Sequence, residues 1–406
     1  MTDPSPAAAP DPWLERPVIG VVGAGIMGSG IAQVALETGH EVVLHDIDEV
    51  ALARGRDRIA DGLARRAARA LSEPDGIDDW VGARLARLRQ TVVLEQLGDE
   101  AEVVIEAALE SLELKEAIFR TLDRVAGRGT ILASNTSALS IASIAAATSR
   151  PERVVGLHFF NPAPLMALVE VVAGPATEPR IADAAANLVA GWGKTAVRSA
   201  DSPGFIVNRV NRPFTLRALR LLEAGLASIE SIDGAIREAG FPLGPFELMD
   251  LTGIDVTFAA STAIWERLGR PDRLRPSPIQ EAQIAAGRLG RKTGAGFYRY
   301  EGGRRGEVAL ATAPGAPTFD AAAIRDGILL PIVDEAVRVA AERVASRADI
   351  DIALRLGAAH PVGPFERLAE IGGPAAVTAR LRDLARSDPS LAPSEALAAE
   401  ADRAEG

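Results

Sequence analysis

The tightest constraint on this chain is six residues long. Gly23-Ala24-Gly25-Ile26-Met27-Gly28 follows directly on the apolar run Val18-Ile19-Gly20-Val21-Val22. It opens into Ser29-Gly30-Ile31-Ala32-Gln33-Val34-Ala35, which has helical character. In such a strand–turn–helix unit the first glycine permits the tight turn and the second lets a pyrophosphate approach the backbone. The third lets the helix pack close to the strand. The helix N-terminus then presents unpaired N–H groups to the phosphates. Gly23, Gly25, Ile26, Met27 and Gly28 are therefore candidate cofactor contacts. A glycine turn alone is a weak signal, but here the context supports it. Glu41-Val42-Val43-Leu44-His45 reads as a second strand, with Asp46 at its end. An acid at that point accepts hydrogen bonds from a ribose 2′-hydroxyl and repels a 2′-phosphate, so the predicted cofactor is NAD rather than NADP. His40 and His45 read as structural.

Composition narrows the class. Lys+Arg number 44 against Asp+Glu 55 in 406 residues, a formal charge of −11, which argues against a nucleic-acid partner but leaves room for a local basic patch. There is no cysteine, so disulfides, thiolate nucleophiles and Cys-ligated metals are excluded, and no metal is expected. No apolar run approaches a membrane span. Residues 1–16 lack the marks of a signal or transit peptide and read as a disordered leader on a cytoplasmic protein.

Residues 51–71 predict a helix carrying Arg54, Arg56, Arg58, Arg65, Arg66 and Arg69, which composition alone reads as a solvated face. A second helical stretch is expected through Arg84–Arg89, then strands at Thr91-Val92-Val93-Leu94 and Glu102-Val103-Val104-Ile105-Glu106. An amphipathic helix over 111–125 carries Lys115, and the strand Thr130-Ile131-Leu132-Ala133 runs into Ser134-Asn135-Thr136-Ser137. Polar residues at the carboxyl end of a strand stand where open α/β sheets bind ligands. They serve equally as a loop leading to a helix cap at Ser137 or Ser140.

The stretch Val154 to Val172 reads VVGLHFFNPAPLMALVEVV, two β-like runs joined by Asn161-Pro162-Ala163-Pro164. That short connection can lay the strands side by side and bring Glu170 to His158. A carboxylate there would orient the ring and stabilise the imidazolium that forms when it acts as a general base. The residues alone read equally as a core histidine beside an unrelated glutamate.

From Ser202-Pro203-Gly204-Phe205 onward the pattern turns helical, with Pro203 as an early helical residue and Asn208 in the first turns. Residues 217–253 recur at 335–373: Asp233 maps to Asp351, and Gly244-Pro245-Phe246-Glu247 to Gly363-Pro364-Phe365-Glu366. Asp326 stands where Asn208 would, so the second copy reads as structural. The fold class is α/β plus all-α: a Rossmann-type doubly wound sheet over 17–200, then two copies of a helical domain. These copies span 201–300 and 318–383, with a linker at 301–317 and a tail at 384–406 expected to fray or stay disordered. His360, before Pro361, is assigned no chemical role.

In order along the chain, GAGIMGSGIA, IEAALE with Lys115, ILASNTSALSI, GLHFFNPAPLMALVEVV, DSPGFIVNRV, GFPLGPFELMDLTG and GRLGRKTGAGFY resemble the L-3-hydroxyacyl-CoA dehydrogenase family, which includes the 3-hydroxybutyryl-CoA dehydrogenases. The resemblance covers residues 17–300. It implies that His158 is the catalytic base polarised by Glu170, and that Ser137 and Asn208 position the reacting oxygen. Glu110, Lys115 and Asn135 would line the NAD site, and Arg65 and Arg69 would hold phosphates of a CoA thioester. It further implies an intramolecular pseudo-dimer, in which 318–383 replaces a partner subunit, with a homodimer left open. Two other readings keep the fold: a dehydrogenase of a free polyol acid, which would not need the arginine helix, and a catalytically silent dinucleotide-binding protein. The intact set Ser137, His158, Glu170 and Asn208 speaks against the latter.

Overall fold

The structure, a computed structural model, describes residues 16–71, 76–310 and 319–405. It divides into two compact units, one ending at Asp201 and one beginning at Ser202.

The first unit is built on an eight-stranded sheet. In chain order its strands are β1 (Ile19–Val22), β2 (Val42–His45), β3 (Leu88–Thr91), β4 (Val103–Glu106), β5 (Ile131–Ser134), β6 (Val154–Phe159), β7 (Leu168–Ala173) and β8 (Thr195–Ala200). The spatial order is β3-β2-β1-β4-β5-β6-β7-β8, parallel throughout except for the antiparallel pair β6–β7. Every residue of β1, β2, β4 and β5 is buried, as expected of strands covered by helices on both faces. The order from β3 to β6 is that of a doubly wound dinucleotide fold, whose switch point lies beside β1. The helix Glu49–Ala70 starts at Asp48, whose side chain accepts from Val50 and Ala51 N–H. It buries Leu52, Ile59, Leu63 and Ala67 on one face.

Two local expectations fail here. The helix before β3 ends at Leu85, and the strand lies at Leu88–Thr91 rather than at Thr91–Leu94. β3 is the sheet edge and pairs only with β2, Leu88 opposite Val42, so Arg89 and Gln90 can point to solvent. Val92 and Val93 stay exposed in the turn into the helix Leu94–Glu100. The ladder offered by β2, not local apolar content, sets the strand.

The second unit is helical. Pro203 is not helical: it lies in a turn, where Gly204 (φ 78°) and Phe205 (φ 49°) adopt left-handed backbone before the short helix Val207–Val210. Longer helices follow at Arg212–Glu223, Ile229–Glu238, Pro245–Thr252, Ile254–Arg267 and Pro278–Ala285. The start of the expected linker is structured, because β9 (Tyr298–Glu301) and β10 (Arg304–Val308) form an antiparallel hairpin. Its entry is pinned by the Asp250 carboxylate, which accepts from Phe297 and Tyr298 N–H at 2.9 Å each. Most of the remaining linker, 311–317, and the leader up to residue 15 lie outside the described residues.

The helices Ala321–Ala341, Arg347–Gly357, Pro364–Glu370 and Gly373–Ala385 make up the later segment. The expected frayed tail is instead the ordered helix Glu395–Glu405, with Leu397 and Ala401 buried. Four-residue spacing sets these two on one face, and Leu397 joins Leu330, Val333, Leu368 and Leu381 in a single core. The repeated sequences build the same corner twice. Asp233 accepts from Phe246 and Glu247 N–H, and Asp351 accepts from Phe365 and Glu366 N–H. Glu247 and Glu366 reach back to Gly244 and Gly363 N–H, each at 2.8 Å. A Cβ on Gly244 would stand 2.2 Å from the Asp233 carboxylate, which is why glycine occupies the corner. Among the described residues no helix is long and apolar enough to cross a membrane.

Candidate active site

At the carboxyl end of β1 the chain turns through Gly23, whose φ of 102° is strained for any residue with a Cβ. A Cβ there would also stand 2.7 Å from the Ala107 carbonyl. At Gly28 it would fall 1.8 Å from the Gly23 carbonyl, whereas at Gly25 no described atom lies within 4 Å. The loop is thus closed on its inner side and open above Gly25. Gly25 caps the helix Ile26–Glu37 without a side-chain hydrogen bond, and no acid stands in the first turn. That end can receive an anion. Asp46 sits beside it, with Oδ2 accepting from Ala24 N–H at 2.7 Å and Oδ1 from Ile47 N–H at 2.8 Å. Ile26 and Ile47 are exposed on the rim, while Met27 packs partly buried against the sheet core. These features fit NAD. Arg58 also reaches the loop, donating to the Ala24 carbonyl at 2.6 Å, although its helix read as a solvated face.

The ends of β4 and β5 hold a buried charge cluster. Lys115 is 1% exposed and its Nζ donates to both oxygens of Glu106, at 2.7 and 2.9 Å. Glu106 also accepts from Ser134 Oγ at 2.6 Å and Ala108 N–H at 2.7 Å. Glu110 lies 3.4 Å from the same ammonium and accepts from Thr136 Oγ1 and from the N–H groups of Ser137 and Ala138. Lys115 is therefore buried at these strand ends and joins Glu106 to Glu110. Sequence reading missed Glu106, which looked like an ordinary strand residue. Its signal was an acid ending an apolar strand, nine residues before a lysine on a helix.

Asn135 ties the strands together, its Oδ1 accepting from Phe159 N–H at 2.8 Å. The next residue in the register that matters is His158, which stands directly opposite Glu170 across the β6–β7 pair. His158 Nδ1 and Glu170 Oε2 are 2.6 Å apart, both residues are buried, and the Phe160 ring lies tilted against the imidazole. A carboxylate can only accept, so Nδ1 carries the proton between them.

Arg65 and Arg69 line a cavity of about 460 Å³ in the same unit, together with Gly62, Arg66, Leu165 and Lys194. Lys194 was not singled out from sequence. Its Nζ donates to the carbonyls of Ala163, Pro164 and Met166, fixing the β6–β7 connection, and desolvation lowers its pKa. In the second unit Asn208 lies on the helix Val207–Val210, next to the buried Arg209.

A doubly wound sheet with this glycine turn, this acid and a carboxylate-bound histidine defines an NAD-dependent oxidoreductase. The family model described as 3-hydroxyacyl-CoA dehydrogenase, NAD binding domain, matches residues 18–202. That for the 3-hydroxyacyl-CoA dehydrogenase C-terminal domain matches 204–300 and 324–399. The chain belongs to the 3-hydroxyacyl-CoA dehydrogenase family. It is 44% identical over 293 residues to the 3-hydroxyadipyl-CoA dehydrogenase of Escherichia coli K12, a match spanning 72% of this chain and 61% of that one. It is 43% identical to the mitochondrial hydroxyacyl-coenzyme A dehydrogenase of Rattus norvegicus, over 69% of this chain and 90% of the relative. The crystal structure of 3-hydroxybutyryl-CoA dehydrogenase from Escherichia coli K12 superposes with a TM-score of 0.86 at 33% identity, covering 97% of this chain and 99% of that one.

Proposed function

We propose that this chain oxidises (S)-3-hydroxyacyl-CoA thioesters reversibly to 3-ketoacyl-CoA, with His158 as the general base. The observation that carries this reading is the in-register His158–Glu170 pair, with Nδ1 and Oε2 2.6 Å apart. When bound, NAD supplies the acceptor for the hydride that leaves C3. His158 takes the hydroxyl proton on Nε2, and Glu170 stabilises the imidazolium that results. In the reverse direction that imidazolium returns the proton to the developing alkoxide. Ser137 and Asn208 act as hydrogen-bond donors to the substrate oxygen, a role carried over from the family motifs. Glu110 supports Ser137 by accepting from its N–H at 3.0 Å. Arg65 and Arg69 hold CoA phosphates, supported by the basic cavity they line. A free polyol acid would leave that cavity without a use.

The test is NADH oxidation with acetoacetyl-CoA by the native protein and by His158→Ala. Turnover by the first and a loss of at least ~10²-fold in the second supports the reaction and the base. Turnover that survives the substitution excludes this mechanism.

The second helical segment substitutes for a partner subunit in this reading. Supporting it, Arg209 is fully buried and donates to Glu335 at 2.9 Å, on the helix Ala321–Ala341, and to Glu342, which caps the C-terminus of that helix, at 2.6 and 2.7 Å. Sedimentation should give a monomer; a tight dimer through the 202–300 surface would count against it.

A further inference from the structure

Three arginines lie buried along the start of the helical unit, and two of them have acids. Arg209 is held by Glu335 and Glu342, and Arg217 donates to Asp388 at 2.7 Å. Arg212 differs. It is 8% exposed, and its only hydrogen bonds among the described residues run from Nε to the Asn208 carbonyl (3.2 Å) and from Nη1 to Ser261 Oγ (3.3 Å). A guanidinium has five N–H donors, so most of its capacity is unmet. Among the described residues no acidic side chain offsets the charge, and burial pulls its pKa down, to about 10. A buried cation without an anion is costly, and a carboxylate is its best-matched partner, because the planar fork accepts two oxygens at once.

Its place along the chain says where that carboxylate would come from. Arg212 follows Asn208 by four residues, across the Asn211 junction between the helices Val207–Val210 and Arg212–Glu223, and its Nε hydrogen bond to the Asn208 carbonyl sets the two residues side by side. If Asn208 holds the oxygen on C3, the far carboxyl carbon of a six-carbon diacid is three carbon–carbon bonds away, about 4 Å. We propose that Arg212 receives the distal carboxylate of a dicarboxylic 3-hydroxyacyl thioester and sets the enzyme's preference for such substrates. This rests on the assignment of Asn208 and the reaction class given above. Ser261 is the positioning residue: its hydroxyl donates to the Thr257 carbonyl at 2.7 Å, which turns its lone pairs towards Nη1.

The test compares kcat/KM for two CoA thioesters of equal chain length, (S)-3-hydroxyhexanedioyl-CoA and (S)-3-hydroxyhexanoyl-CoA, followed by NADH formation. The native protein should favour the diacid by ~10²-fold or more, since a site built for a charged group rejects the analogue lacking it. In Arg212→Gln that ratio should collapse towards one, and Arg212→Lys should restore part of it. A purely structural arginine would lower both rates together and leave the ratio unchanged, which would overturn the proposal. So would a native protein that uses the monoacid without preferring the diacid, whatever the variants do. A native protein that uses neither thioester removes the reaction class itself, and this inference with it.

Discussion

His158 and Glu170 face each other across one rung of the antiparallel β6–β7 pair, so the backbone ladder itself sets the 2.6 Å approach of imidazole to carboxylate. Strand pairing, unlike a loop, leaves little freedom for the ring to rotate away, and the Phe160 ring lies tilted against the imidazole. Orientation of the His158 ring, the base in the proposed reaction, is therefore part of the sheet.

Replacing the acceptor should show this. Glu170→Gln keeps the shape but removes the charge that stabilises the imidazolium, and it lets the ring carry the wrong tautomer. We expect kcat to fall by ~10²-fold or more with KM for the acyl-CoA little changed. Steady-state kinetics, with NADH binding followed by fluorescence, checks it; unchanged kcat would detach Glu170 from catalysis.

In the proposed reading Asp46 governs cofactor choice. Its carboxylate holds Ala24 N–H and stands where the ribose 2′-position is expected. Asp46→Ser should raise the NADP-to-NAD ratio of kcat/KM by at least ~10-fold, by removing repulsion of the 2′-phosphate. A ratio that does not move would place the ribose elsewhere.

Lys115 and Glu106 are a fully buried pair. Lys115→Met leaves an unpaired carboxylate in the core of the first unit and should cost about 3–5 kcal/mol. The double variant Lys115→Met/Glu106→Gln should recover a large part of that loss. Urea unfolding of the three proteins measures both, and equal stability of single and double variants would refute the pairing argument.

His360 links acid to the stability of the helical unit. Burial, with Arg367 nearby, lowers its pKa from 6.5 to about 3, and its Nε2 lies 2.8 Å from Asn211 Oδ1. The folded state holds it neutral while the unfolded chain protonates, so stability is lost as pH falls below about 6.5 and on towards 3. The slope is at most ~1.4 kcal/mol per pH unit. Asp233 acts in the opposite sense over roughly pH 4–6, since burial raises its pKa to about 6 and the folded state is favoured when it is protonated. The difference between native and His360→Gln, by denaturant titration from pH 7.5 to 5, isolates the histidine. Parallel pH curves would mean that His360 is not held neutral.

Much of the geometry around the candidate site was legible before the structure. Gly23, Gly25, Gly28 and Asp46 were readable because each answers to local backbone chemistry. The His158–Glu170 pair was readable because two short strands on a tight connection can bring such residues opposite each other. Glu106 was not, since nothing local separates it from other strand ends until Lys115 folds beneath it. The edge strand at Leu88–Thr91 escaped because Arg89 and Gln90 look like loop residues until β2 supplies their ladder. The final helix escaped because an Ala- and Glu-rich segment shows too few apolar residues to announce a face, and only Leu330 and Leu381 reveal what Leu397 is for.

The sequence by itself determined the doubly wound first unit, the family and the NAD preference, because those rest on glycine geometry, residue periodicity and one acid at a strand end. Tertiary structure alone decided which charges are compensated. Arg209 and Arg217 found acids more than a hundred residues away, Lys115 was buried against Glu106, and Arg212 was buried with none among the described residues. Compensation depends on distance and dielectric once the helices have packed, and neither quantity is written in the order of residues.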